Sequence, residues 1–324
     1  METDIEYVST RHFDRDNWHK FLAERSAEPA QAEAAPAPTV DLDDPNAEAL
    51  VTAEKFDEHG RAEFSRGRYD AARAMHERAM EIRRGICGEK DPKLTRSFTL
   101  LGNLSLTEER FEEAEWLYTQ AYRTATKRFG DQHPMVAVAL HNLGVLARRR
   151  GDLAGATKLY EHALAIKCEH FGEFHPSVAA TLASLGNLAR LQGDLHGSME
   201  HYDRAREIYE ATEGCISHGL ASTLVGMGRV HLAYGLTESA VFLFERALRI
   251  REALIVSPTQ LAACRFLLAM SLSDSWPVEA RALFVTAIRE YEVGFGVRSD
   301  CIEAMRRALH RLSGELALDP RHKN

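Results

Sequence analysis

Apolar residues recur along the chain at the spacing of an α-helix, with polar residues between them. Small residues within this pattern recur every 42 positions. Rows of equivalent glycines and alanines keep this period over four or five repeats, and they arrive two residues early after Pro258. Rows that stay in register over this length indicate an internal repeat, with five regular units and a shortened sixth. The rows are Gly60, Gly102, Gly144, Gly186 and Gly228; Ala79, Ala121, Ala163, Ala205 and Ala247; and Gly88, Gly130, Gly172 and Gly214.

Each unit has the pattern of a helix, a turn and a second helix, and the third unit shows this most clearly. Apolar residues such as Leu140 and Leu143 recur at the spacing of a helix. Pro134 suits the first turn of that helix, where a missing N–H costs no hydrogen bond. Gly151 interrupts the pattern, and a second helix is predicted from Leu153 to about His170. The sequence therefore predicts two helices in each unit.

The third unit also carries the residues by which a known family is identified. They are Leu143-Gly144, Gly151, Leu153, Ala156, Tyr160 and Ala163, and they match the frame of the tetratricopeptide repeat. The 42-residue form, with Phe171-Gly172-Glu173-Phe174-His175-Pro176 between units, resembles the repeats of kinesin light chains, and bacterial tetratricopeptide proteins also use it. The resemblance implies an all-α protein, a right-handed α-solenoid of about six tetratricopeptide helix pairs plus a C-terminal capping helix.

The ends of the chain depart from the repeat. We expect the repeat domain to cover residues 48–297, and residues 298–324 to form a capping helix and tail. Residues 26–47 resemble an extended Ala/Pro/acidic linker. Residues 1–25 predict a short amphipathic helix that presents one apolar face. That face can cap the first repeat, anchor another protein or plug the groove, and it consists of Trp18, Phe21 and Leu22.

Composition narrows the class of protein. Asp plus Glu number 48 and Lys plus Arg 40, giving a net charge of −8, which argues against general nucleic-acid binding. No apolar run is long enough to insert into a membrane. The five cysteines are an odd number and lie far apart, as is typical of reduced thiols in a cytoplasmic protein.

No catalytic or cofactor motif stands out from the repeat. His133 and His175 occupy equivalent loops, so their spacing predicts a structural role and no metal site. The chain also has no nucleotide-binding glycine motif in a strand–turn–helix context. We therefore expect no metal, no cofactor and no enzymatic activity.

The candidate binding surface follows from the tetratricopeptide frame, in which the first helices line a concave groove. Groove-facing positions lie three before, and one, four and five after, the glycine of each Leu-Gly pair. Those positions are Asp57, Arg61, Thr99, Asn103, His141, Val145, Arg148, Arg149, Asn187, Arg190 and Arg229, with Arg265 after the two-residue shift.

The arginines and asparagines of this set suit an extended peptide with acidic side chains or a free C-terminus. The plainer interpretation of Arg148 and Arg149 is a solvated helix end that complements the helix dipole. The sequence favours a noncatalytic adaptor that binds a protein or peptide partner. The alternative is a regulator that responds to a peptide or small molecule and controls another protein.

Overall fold

The computed structural model describes residues 46–88, 93–254, 256–295 and 300–318. Thirteen α-helices and no β-strand occur within these ranges. The predicted N-terminal segment, its linker and the candidate anchor of Trp18, Phe21 and Leu22 lie outside them. The helices are α1 Ala47–Ser65, α2 Tyr69–Cys87, α3 Leu94–Thr107, α4 Phe111–Phe129, α5 Pro134–Arg149, α6 Leu153–Phe171, α7 Pro176–Gln192, α8 Leu195–Thr212, α9 His218–Ala233, α10 Thr237–Ala253, α11 Pro258–Leu272, α12 Pro277–Phe295 and α13 Asp300–Leu318.

The helices of the described region pack as six consecutive pairs, from α1–α2 to α11–α12, followed by α13 alone. The second helix of a pair also contacts the first helix of the next pair, as α4 does α5 and α6 does α7. Each unit thus buries the exposed side of its neighbour, which is how a repeat that cannot form its own core becomes stable. The predicted all-α solenoid of helix pairs and a terminal helix is confirmed.

Side chains just before the helices fix where several of them begin. Nδ1 of His133 accepts a hydrogen bond from the backbone N–H of Met135 at 3.2 Å, and His175 accepts one from Ser177 at 3.1 Å. Asp152 caps α6 through the backbone N–H of Gly155 at 2.8 Å. These contacts satisfy amide groups that have no partner inside the helix. They also account for the repeated histidines, which cap helices.

The terminal helix α13 covers apolar surface that α12 would otherwise expose. Ile302 and Met305 are buried, and Leu312 packs in the same cluster as Phe284 of α12. Met305 also belongs to a cluster with Ala287 of α12. These buried residues of α13 therefore close the end of the last helix pair.

Candidate binding groove

The first helices of three consecutive units line one groove with a volume of about 520 Å³. Helices α5, α7 and α9 supply most of its walls, and tyrosines from α6 and α8 supply its floor. Five of the residues predicted to face a groove line it, namely His141, Val145, Arg148, Asn187 and Arg229. The remaining lining residues are Tyr160, Ala180, Ala183, Ser184, Tyr202, Tyr209, His218, Gly219, Ser222, Val225 and Gly226.

Glycines on α9 bring the tyrosine hydroxyls of α8 to the groove. A Cβ atom on Gly226 would lie 2.5 Å from the hydroxyl oxygen of Tyr202, and one on Gly219 would lie 2.7 Å from that of Tyr209. Any larger residue would collide with the rings at these distances. The two phenols therefore reach the groove floor because α9 has no side chain there.

The phenols of the floor stay protonated at neutral pH. Burial raises the pKa of Tyr202 to about 12 and the pKa of Tyr209 to about 12. Burial also raises the pKa of Tyr160, against the opposing effect of Arg148. A neutral phenol both donates and accepts a hydrogen bond, so the floor offers donors without adding negative charge.

Three arginines act electrostatically on Tyr202. The positive charges of Arg190, Arg229 and Arg148 all act on this phenol, and Arg190 approaches it most directly. Arg190 also donates to Oδ1 of Asn187 at 3.0 Å, which holds its guanidinium beside the groove. Burial and the repulsion of Arg190 and Arg251 lower the pKa of the Arg229 guanidinium. The charges of Arg190 and Arg229 thus lie close enough for Arg190 to disfavour the charged form of Arg229.

These three arginines have no carboxylate within ion-pair distance among the described residues. Arginines elsewhere pair readily between units, since Arg73 lies 2.6 Å from Glu108 and Arg150 lies 2.7 Å from Glu115. The groove therefore carries positive charge that the described part of the chain does not neutralise, although the whole chain has a net charge of −8.

His141 lies at one side of the groove and is uncharged. Its ring packs on Tyr160 with the ring centroids 5.1 Å apart, and its buried Nδ1 has no hydrogen-bond partner in the described region. Burial, together with the charge of Lys167, lowers the pKa of His141 to about 3. The side chain is therefore a neutral group with unused hydrogen-bonding capacity.

Several residues predicted to face the groove do not line it, and Arg190 is one of them, since it reaches the groove through its contact with Asn187. Asp57 is completely buried and lies 2.7 Å from Arg83, because its helix turns it into the first unit. Arg149 instead reaches back to Glu109 at 3.3 Å. Arg265 pairs with Glu290, and with Glu252 at 2.5 Å. In these last three cases a nearby opposite charge pairs with the side chain, in the interior for Asp57 and on the surface for Arg149.

Other predicted positions belong to earlier units. Asn103 is exposed on α3 and accepts a hydrogen bond from the hydroxyl of Tyr118 at 2.8 Å. Thr99 donates to the carbonyl of Thr95 in its own helix at 2.9 Å, and Arg61 is exposed on α1. The position rule identified a helix face, but the groove occupies only the middle units of that face.

The sequence reasoning missed the tyrosine floor. Tyr118, Tyr160 and Tyr202 are spaced 42 residues apart, so the row was visible in the sequence. Tyr209 lies outside that row, and only the glycine opposite it on α9 indicates its position. No helix in the described ranges combines the length and apolar character needed to cross a membrane.

The model of the tetratricopeptide repeat family matches residues 51–127, 106–169 and 177–253. The chain belongs to the tetratricopeptide repeat family. Proteins of this family generally mediate protein–protein interactions and are typically noncatalytic scaffolds. No curated protein sequence matches the chain.

Solved structures resemble the chain at low sequence identity. BtubC (BKLC) from P. vanneervenii is 23% identical, with a TM-score of 0.50 over 83% of this chain and 93% of that protein. TPR-like repeats from P. anserina, named for a kinesin light chain, are 21% identical over 63% of this chain and 98% of theirs, with a TM-score of 0.49. The APC/C hetero-tetramer Cut9-Hcn1 matches 83% of this chain and 46% of its own at 13% identity and a TM-score of 0.57. At these identities the likenesses to BtubC and Cut9-Hcn1 support the fold alone.

Proposed function

We propose that the protein is a noncatalytic scaffold that binds an extended, acidic segment of a partner protein in the groove of units three to five. The observation that carries this proposal is the absence of a carboxylate within ion-pair distance of Arg148, Arg190 and Arg229 in the described region. Positive charges without a paired carboxylate favour a ligand that brings the opposite charge.

The polar groups between the arginines suit the backbone of such a segment. The amide of Asn187 has both donors and an acceptor, and Ser184 and Ser222 offer hydroxyls along the same wall. A charge-assisted hydrogen bond from arginine contributes about 1.5–3 kcal/mol where water is excluded. An exposed pair contributes only about 0–1 kcal/mol. Affinity should therefore come from the residues nearest the tyrosine floor.

Peptide retention tests the proposal directly. Degenerate peptide libraries rich in Asp and Glu, or in Lys and Arg, are passed over the immobilised full chain. Peptides that remain bound are identified and titrated at two ionic strengths. Acidic peptides should be retained preferentially, and their affinity should fall as salt rises. Equal retention of the two libraries would contradict an acidic ligand.

A matched pair of variants then locates the site. Arg190→Glu should weaken binding of the retained peptides without changing helicity, because Arg190 contacts Asn187 of the groove wall and makes no ion pair in the described region. Arg78→Glu is the control, since Arg78 is exposed on α2 and pairs with Glu81. Equal effects of the two substitutions would place the binding surface outside the groove.

The proposed role of the N-terminal segment is tested with the same peptides. Deleting residues 1–40 should raise peptide affinity if this segment competes for the groove. Unchanged affinity would rule out competition and leave two roles for Trp18, Phe21 and Leu22, a cap on the first repeat or an anchor for another protein. Pull-downs with the intact and truncated chains would then show whether a partner depends on the segment.

A further inference from the structure

We propose that the groove is selective for a phosphorylated residue of its peptide ligand, with the phosphoryl group held by Arg148, Arg190 and Arg229 above the hydroxyl of Tyr202. This inference rests on the proposed function, because it names the chemical group that the peptide presents to the same site.

The distribution of arginines along the repeat points to a compact anion. Arg148 and Arg190 occupy equivalent positions in the third and fourth units. The corresponding residues of the first, second and fifth units are Phe64, Leu106 and Leu232. A groove that bound a long polyacidic segment would carry basic residues in every unit. Arg229 has an equivalent in Arg61 of the first unit, but only in units three to five of the described region do three arginines act on one phenol, that of Tyr202.

The number of charges also favours a phosphomonoester over a carboxylate. A carboxylate neutralises one guanidinium, whereas a phosphomonoester carries about −1.5 to −2 charges at pH 7 and has three strong acceptor oxygens. Three guanidinium groups without a carboxylate within ion-pair distance in the described region would retain two positive charges beside one bound carboxylate. A phosphoryl group leaves only about one to one and a half positive charges there.

Unused donors at the site match the additional oxygen atoms. The buried Nε of Arg190 has no hydrogen-bond partner in the described region, although its terminal nitrogen donates to Asn187. The protonated hydroxyl of Tyr202, which lines the same groove, can also donate. Arginine donors also pair with phosphate in a bidentate way that lysine cannot reproduce.

The experiment compares three degenerate peptide libraries that differ only at a fixed central residue, which is phosphoserine, glutamate or serine. Each library is passed over the immobilised full chain, and individual sequences with the three central residues are then titrated. We expect phosphoserine peptides to bind about tenfold more tightly than glutamate peptides, since they gain at least one charge-assisted hydrogen bond. Serine peptides should bind most weakly.

Variants and competitors show whether the preference comes from this site. Arg190→Gln and Arg190→Lys should both remove most of the phosphoserine preference, and Arg78→Gln on α2 should leave it intact. Lowering the pH from 7.5 to 5.5 should reduce the preference, because the phosphomonoester loses part of its second charge near pH 6. Circular dichroism of each variant checks that it is folded, and inorganic phosphate serves as the free-anion competitor.

Each outcome has a distinct consequence. Equal affinity for phosphoserine and glutamate peptides would overturn this inference and leave the acidic-peptide function standing. Failure of both to exceed serine peptides would overturn the proposed function as well. A phosphoserine preference that survives Arg190→Gln and Arg190→Lys would place phosphate recognition elsewhere. Inorganic phosphate binding as tightly as the phosphopeptides would show that the site recognises the free anion and not a peptide.

Discussion

A Cβ atom on Gly144 would lie 2.8 Å from Cε1 of Tyr160, so the ring packs directly against the backbone of the facing helix. The same relationship recurs in other units. Gly102 faces Tyr118, Gly228 faces Phe244, and Gly60 faces His76. In these units the glycine of the first helix is therefore in packing contact with a ring of the second helix. In the third unit this contact places Tyr160 in the floor of the groove.

Gly144→Ala should lower the free energy of unfolding by about 1–3 kcal/mol, because the added methyl group overlaps the Tyr160 ring. Urea denaturation followed by circular dichroism measures the change. Gly314→Ala on α13 is the control, since no described atom outside its own helix lies within 4 Å of the added Cβ. It should gain about 0.5–1 kcal/mol from helix propensity. A loss of similar size in both variants would contradict the packing argument.

The fold was predictable because its signals are local and repeated. Pro134 and Pro176 begin α5 and α7 as expected, and α6 runs from Leu153 to Phe171 where the sequence predicted an end near His170. A wrong assignment of helix or turn in one unit would conflict with the other units, since the same turn and the same small residues recur in each. A periodic sequence thus specifies element type and order well.

The groove was only partly predictable, because a position rule gives the face of a helix and not the surroundings of a side chain. Arg148 and Arg149 are adjacent, yet Arg148 lines the groove while Arg149 pairs with Glu109. Glu109 stands where other units have a turn glycine, and it adopts a positive φ of 60°. The carboxylate of Glu109, which pairs with Arg149, therefore lies 40 residues earlier in the chain. It stands in a turn, for which the rule on groove-facing helix positions makes no prediction.

Asp57→Ala should destabilise the first unit by about 3–5 kcal/mol, because it leaves Arg83 buried without its partner. Burial alone would raise the pKa of Asp57, but hydrogen bonds from His76 and Arg83 and their charges lower it overall. Urea denaturation measures the loss. The double variant Asp57→Leu/Arg83→Leu is the control, and it should recover part of this stability. A double variant as unstable as Asp57→Ala would contradict the buried-charge explanation.

The carboxylate of Asp57 makes the stability of the folded chain depend on pH, and the shift of its pKa fixes the direction. Because the pKa of Asp57 is lower in the folded chain than the ordinary value of 3.8, the unfolded chain binds its proton first as the pH falls. The stabilisation is therefore present above that value and is lost in more acidic solution. Melting curves between pH 6 and pH 3 should show a smaller decline for Asp57→Asn than for the native chain. Parallel declines would contradict this assignment.

His141 should make the protein less stable below about pH 6.5. Its pKa falls to about 3 in the folded chain, so between these two values the unfolded chain binds a proton that the folded chain does not. Replacing it by phenylalanine keeps a ring against Tyr160 and removes the titration. His141→Phe should gain about 1–2 kcal/mol relative to the native chain on going from pH 8 to pH 5. An unchanged difference between the two proteins would exclude a neutral His141.

Lys167→Met should leave the protein at least as stable at pH 7, because it replaces a buried charge with an apolar side chain of similar volume. Nζ of Lys167 donates to Thr181 at 2.8 Å and to the carbonyl of Ser177 at 3.2 Å, and burial lowers its pKa to about 8. A lowered lysine pKa means that the native chain gains stability as pH rises from about 8 to 10.5. The advantage of the methionine variant should therefore shrink over that range.

The same substitution also tests the contact with His141. The charge of Lys167 contributes to the low pKa of that histidine, so Lys167→Met should raise the pKa and flatten the loss of stability between pH 6.5 and pH 3. Guanidinium denaturation at pH 5, 7 and 10 measures both effects on one pair of proteins. A variant that loses more than about 1 kcal/mol at pH 7 would show that the two hydrogen bonds outweigh the cost of burying the charge.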